Sequence, residues 1–284
     1  MSISGSRRRA ASALITAGAA AVAMLALAVP AGASTGTQEI SPEQAGYTAT
    51  GAQFQEVDAT IYLRNPDQYS SEVSGYSHSV QLWSADRVAV AGVAASTSGS
   101  GYTPFATVYD RSTHTVLASD PNAEICDEHD NCTTTIGAFA AGDTVTLKLI
   151  YFPRDGILAF SVHDNNTRLT FLNEPAYPAA GESFTQARVG TEFGPDPWTA
   201  PSSYTPPANP LKVAAYNNVA LTSYSGHIAA LWSWWVHHKL LANTGQQTGH
   251  DWVAVPADLT SGGASFQTSF VPLSGQAPNQ PARP

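Results

Sequence analysis

Hydrophobic and polar residues alternate with a period of two over most of this chain, in short runs bounded by turn residues. Residues 143–173 show the pattern most plainly. Thr144, Thr146, Lys148 and Ile150 would face one way, and Val145, Leu147, Leu149 and Tyr151 the other. Pro153, Arg154, Asp155 and Gly156 follow as a turn, because proline presets φ and glycine permits a positive φ. A return run over 157–162, a turn at 164–167 and a third run over 168–172 complete an antiparallel meander. Strand-length runs also cover 53–63, 79–83, 87–94, 104–109, 114–118, 251–257 and 265–271. Residues 211–223 read as a strand pair with Asn217 and Asn218 at the turn.

Six prolines between 194 and 210 exclude a central strand there. They predict a long stiffened loop of the kind that borders a binding face. Residues 34–44 read as a flexible lead-in and 272–284 as a disordered tail. One stretch resists assignment. Residues 227–241 hold Trp232, Trp234, Trp235, His237 and His238 without glycine or proline after Gly226. Their periodicity suits a helix as well as a strand, and packing over one end of the fold competes with a sugar-stacking or lipid-facing patch. Adjacent His237 and His238 diverge in either geometry, so no metal site is expected from them. Many short strands and no long amphipathic helix predict an all-β sandwich of two antiparallel sheets. One domain over 45–271 accommodates it.

Composition narrows the setting. Arg7, Arg8 and Arg9 precede an uncharged Ala/Leu/Val run that ends at Ala31, Gly32 and Ala33, the pattern of a cleavable signal peptide over residues 1–33. A secreted, extracellular protein is expected, of bacterial look, with no stable membrane span after cleavage; Sec and twin-arginine export both remain open. Acidic residues outnumber basic ones 22 to 13, which leaves no basic track for nucleic acid. Charged residues make up 12% of the chain, against about 25% in average domains. Cys126 and Cys132 enclose an acidic loop, and a disulfide pinning its tip is expected over a small cation site. No cofactor is called for, and a monomer is expected.

The candidate chemistry lies in residues 184–194. Strand alternation puts Arg188, Gly190 and Glu192 on one face, immediately before the proline-rich loop. Glu192 there is a catalytic base, a ligand contact or a solvated charge.

The order of several segments resembles the glutamic peptidases (eqolisins, peptidase family G1). Ala45, Gly46, Tyr47, Thr48, Ala49, Thr50 and Gly51, followed by Phe54 and Val57, Asp58, Ala59 and Thr60, resemble the family's opening. Ala141, Gly142 and Asp143 lead into paired strands at the matching place. Residues 187–192 stand where the family has Ala-Glu-Trp-Ile-x-Glu, 213–222 resemble a later strand, and 255–266 its closing hairpin. The resemblance implies a concanavalin A-like (jelly-roll) sandwich whose concave sheet carries a Gln–Glu pair. It also implies that both positions are replaced: Val90 stands at the Gln position, Arg188 at the Glu position, and Gln44 where an initial Trp is usual.

A non-catalytic protein binding a peptide or glycan on the concave face is therefore the first expectation. Arg188, Glu192, Trp83, Tyr109 and Trp198 are its candidate contacts. An acid-acting endopeptidase with a displaced centre, Glu192 as base and Gln81 or Gln186 as amide donor, is the alternative. A cell-surface structural module is a third.

Overall fold

The computed structural model describes residues 38–41, 44–64, 76–95, 101–119, 124–126, 132–133, 139–168, 170–173, 181–192, 211–234, 236–243 and 252–270. They form nineteen strands. In chain order these are β1 (Gln38–Ser41), β2 (Gln44–Thr50), β3 (Phe54–Leu63), β4 (Ser77–Trp83), β5 (Arg87–Ala95), β6 (Gly101–Asp110), β7 (Val116–Ser119), β8 (Glu124–Cys126), β9 (Cys132–Thr133) and β10 (Phe139–Ala140). They continue with β11 (Thr144–Phe152), β12 (Ile157–Asp164), β13 (Thr170–Asn173), β14 (Gln186–Glu192), β15 (Leu211–Ser223), β16 (Ile228–Ala229), β17 (Val236–Asn243), β18 (Trp252–Pro256) and β19 (Phe266–Phe270).

The pairings resolve into two antiparallel sheets. The first runs β17-β2-β14-β4-β5-β6-β7, with β10 also on β6. The second runs β19-β15-β3-β11-β12-β13-β8-β9, with β16 on β15. Strand β18 pairs with both β17 and β19 and joins the sheets at one edge. The β1–β17 pairing is the parallel exception, so part of the expected lead-in is a strand. The expected meander is β11, β12 and β13, with Gly156 at φ 64° in its first turn. Cys126 stands opposite Cys132 in the β8–β9 register.

Two sequence readings need correction. Asn217 and Asn218 do not split 211–223; β15 runs through them. Asn218 takes φ 52°, which asparagine tolerates, and the register against β3 shifts between Asn217 and Ala220. The polar pair marks a bulge, because β3 continues on both sides of it. Residues 227–241 are neither one helix nor one strand: β16, a 3-10 turn at Leu231–Ser233 and the start of β17 divide them. The proline-rich loop, Trp198, Trp235 and the expected leader and tail lie outside the described residues. No helix among the described residues is long and apolar enough to cross a membrane.

Alternation decides what each sheet buries. Ala45, Tyr47 and Ala49 of β2, Ala187 and Val189 of β14, Val80 and Leu82 of β4, and Ala89, Ala91 and Val93 of β5 turn inward. They meet Val57, Ile61, Leu147, Leu149, Phe160 and Leu221 of the second sheet. The core also holds a polar knot. His78, fully buried, has Nδ1 3.1 Å from Thr191 Oγ1 and 3.2 Å from the Tyr216 hydroxyl. Thr191 Oγ1 is 2.9 Å from Thr268 Oγ1. The rings of Tyr76, Tyr102 and Tyr216 surround the imidazole, whose Nε2 is buried without a hydrogen-bond partner.

Because successive residues alternate faces, the neighbours of this knot, Ser79 and Glu192, must point to the opposite side of the first sheet. That outer face carries the candidate site.

Candidate functional site

The register sets the site. Across the outer face Arg188 of β14 stands opposite Gln81 of β4, and Gln81 stands opposite Val90 of β5. Thr48 of β2 flanks Arg188 on the other side. The next row along is Gly46, Gly190, Ser79 and Gly92; Gln44, Glu192 and Ser77 follow. Four residues of a regular strand span about 13 Å, so Gln81 and Glu192 do not share a row. They meet because what lies between them is small. Ser79 and Gly190, directly opposite each other, leave room for two long side chains to lean together.

The contact is direct. Gln81 Nε2 donates to Glu192 Oε1 at 2.6 Å, and the Ser79 hydroxyl donates to the same oxygen in a short bond. Gln81 Nε2 also lies 3.2 Å from Ser79 Oγ. The other end of the carboxamide is fixed as well: Trp83 Nε1 donates to Gln81 Oε1 at 2.5 Å. This assigns the amide, with its oxygen toward the indole and its nitrogen toward the carboxylate. Glu192 is 3% exposed and Gln81 1%, values typical of a core although both lie on the face turned away from it.

Arg188 makes a different contact. Its guanidinium carbon lies 3.8 Å from the centre of the Trp83 ring, close stacking for a cation on an indole. Its Nη2 donates to Gln186 Oε1 at 3.2 Å. Arg111 lies 5.4 Å from the same ring and donates to Ser84 O. Trp83, Val88, Val90 and Tyr109 form a small buried cluster beside this stack.

Of the residues singled out from sequence, Glu192, Gln81, Arg188, Trp83 and Tyr109 are therefore gathered on one face. Gln186 belongs with Arg188 rather than with the Glu192 carboxylate. Ser79 went unnoticed, although its spacing of two from Gln81 on one strand puts it on the same face. Among the described residues no group of three His, Cys, Asp or Glu side chains is placed to hold a metal ion.

Comparison with solved structures accounts for the architecture. The chain superposes on scytalido-glutamic peptidase bound to a peptide-based transition-state analogue with a TM-score of 0.54 at 14% identity, covering 81% of this chain and 98% of that one. A second structure of that peptidase, with a transition-state analogue inhibitor, gives 0.53 at 14% identity with the same coverage. This chain has the glutamic-peptidase fold. SCP-B, a member of the eqolisin family in complex with the tripeptide Ala-Ile-His, gives 0.50 at 12% identity, again over 81% and 98% of the two chains. No family model matches the sequence, and no curated protein matches it. Val90 and Arg188, the positions to which the resemblance pointed, fall in one cross-strand row with Gln81 between them.

Proposed function

We propose that this is an exported, non-catalytic relative of the glutamic peptidases that binds an extended peptide on the outer face of its first sheet. Arg188, Trp83, Tyr109 and Glu192 supply the contacts. The observation that carries this reading is the closed hydrogen bonding between Gln81 and Glu192. Peptide hydrolysis by a Gln–Glu pair needs a carboxylate that takes a proton from water and an amide N–H aimed at the position of the developing oxyanion. Here the N–H ends on the carboxylate, and Ser79 loads the same oxygen. Opening the pair leaves buried polar groups unsatisfied, at about 1–3 kcal/mol each. The stacked Arg188–Trp83 pair, buried among the described residues, puts a cation and an indole where the resemblance implies an acid.

A second reading has its own support. The carboxamide and carboxylate are in direct contact, and a water inserted between them would have a base on one side and an N–H donor on the other. On that reading the chain is an acid-acting endopeptidase centred on Glu192 and Gln81.

Two assays decide between them. Folded protein is incubated with casein across pH 2–7, and a peptide array is probed at neutral pH. Absence of cleavage together with peptide capture that Arg188→Ala weakens at least tenfold supports the binder. Cleavage that disappears in Glu192→Gln sinks it and establishes the peptidase. An array without hits removes the peptide as ligand.

A further inference from the structure

A cleft of about 560 Å³, within the range of small-molecule sites, opens where the β15–β16 hairpin meets the turn between β2 and β3. It lies apart from the Gln81–Glu192 contact and is lined by Ala52, Gln53, Ser223, Tyr224, Ser225, His227 and Trp234. Among these described lining residues there is no Asp, Glu, Lys or Arg.

The aromatic rings are held rigidly by their polar ends. Trp234 Nε1 donates to Ala229 O at 3.2 Å, and the indole meets Phe54 and His227 edge to face at 5.0 and 5.3 Å. The Tyr224 hydroxyl donates to Glu182 O at 3.1 Å, and its N–H to Gln53 O at 2.9 Å. With their own polar atoms spent on the backbone, these rings are fixed: buried Trp234 backs the exposed His227 ring, and half-buried Tyr224 offers apolar surface, so little ordering is left for a ligand to impose. The hydroxyls are organised too. Ser223 Oγ and Ser225 Oγ are 2.7 Å apart, and Ser223 Oγ accepts the His227 N–H at 3.2 Å. The Gln53 carboxamide and Ser225 stand exposed at the mouth.

We propose that this cleft is a binding site for a neutral oligosaccharide, with half-buried Tyr224 and exposed His227, backed by the buried Trp234 indole, against a sugar ring and Gln53 and Ser225 meeting its hydroxyls. A pyranose has an apolar C–H face and a rim of uncharged donors and acceptors, and the lining offers the complement of both. An anion or a metal ion would find no formal counter-charge among these side chains. The site is separate from the peptide-binding face and does not depend on it.

The test uses the mature chain and trisaccharides of β-linked glucose, xylose, mannose and galactose, titrated to millimolar concentration by tryptophan fluorescence and calorimetry. At least one is expected to bind. Tyr224→Ala should weaken it at least tenfold, and Ser225→Trp, a change at an exposed position that fills the mouth without disturbing the core, should abolish it. Arg188→Ala should leave it unchanged, which separates this site from the peptide-binding face. Failure of all four sugars to bind, or binding that survives Ser225→Trp, overturns the proposal.

Discussion

Replacing His78 with glutamine should flatten the dependence of stability on pH between 7 and 5. The imidazole is enclosed by the two sheets, and that burial pushes its pKa down from 6.5 to about 3. In the unfolded chain the same group titrates near 6.5. Between these values the unfolded state binds a proton that the folded state refuses, so stability is full above about 6.5 and is lost as pH falls toward 3. At about 1.36 kcal/mol per pH interval, the loss between pH 7 and 5 is about 2 kcal/mol from this residue. Glutamine keeps a hydrogen-bonding atom toward Thr191 and Tyr216 but has no proton to take up. Other groups titrate in the window: burial also lowers His163, with the same sign. Asp58, raised to about 7 by burial and by Glu56 against the pull of Lys148, acts with the opposite sign. Both cancel when variant and parent are compared. The assay is urea unfolding at pH 7 and 5 for each protein, read as the difference of the two differences. Parallel pH dependences, equal to within 0.5 kcal/mol, would refute the reasoning and mean that protonated His78 is accommodated in the fold.

Three further outcomes are expected. Gln81→Leu leaves Trp83 Nε1 without its acceptor and strips one donor from Glu192, so unfolding free energy should fall by about 2–4 kcal/mol in urea melts. Gly190→Ala should cost about 2 kcal/mol or more and lower the melting temperature, because a Cβ there would lie 2.6 Å from the backbone oxygen of Ala45, which cannot swing away. Non-reducing peptide mapping should recover the peptides of Cys126 and Cys132 linked, as their register pairing suggests, and Cys126→Ser with Cys132→Ser should cost about 2 kcal/mol by chain entropy.

The fold was legible because alternation states directly which side of a strand is apolar. Strands β11 and β12 could be read residue by residue, since the core-facing Val145, Leu147, Leu149, Leu158, Phe160 and Val162 alternate with residues such as Thr146, Lys148, Ser161 and His163. The bulge at Asn217 and Asn218 looked like a turn because the same residues serve both, and only the strand alongside tells them apart. The site was half legible. Facing of Arg188 and Glu192 follows from β14 alone, but the meeting of Gln81 with Glu192 joins residues 111 positions apart and depends on inter-strand register. Family resemblance directed attention to Val90, one strand beyond the amide that makes the contact. Nothing in the local pattern around Ser79 distinguishes an outward serine bonded to a buried carboxylate from one facing solvent.

The pairing order also constrains how the chain is made. Strands β4 to β7 can assemble locally, but β2 lies between β14 and β17, and β3 between β11 and β15. Each waits for partners synthesised much later, and β4 itself is half-paired until β14 arrives. Such distant pairing folds slowly. During synthesis, therefore, the first strands remain without their neighbours until most of the polypeptide has been produced. A chain that completes its sheets only at the end leaves the edges of β2 and β3 open until late in synthesis, a state in which they can pair with other chains.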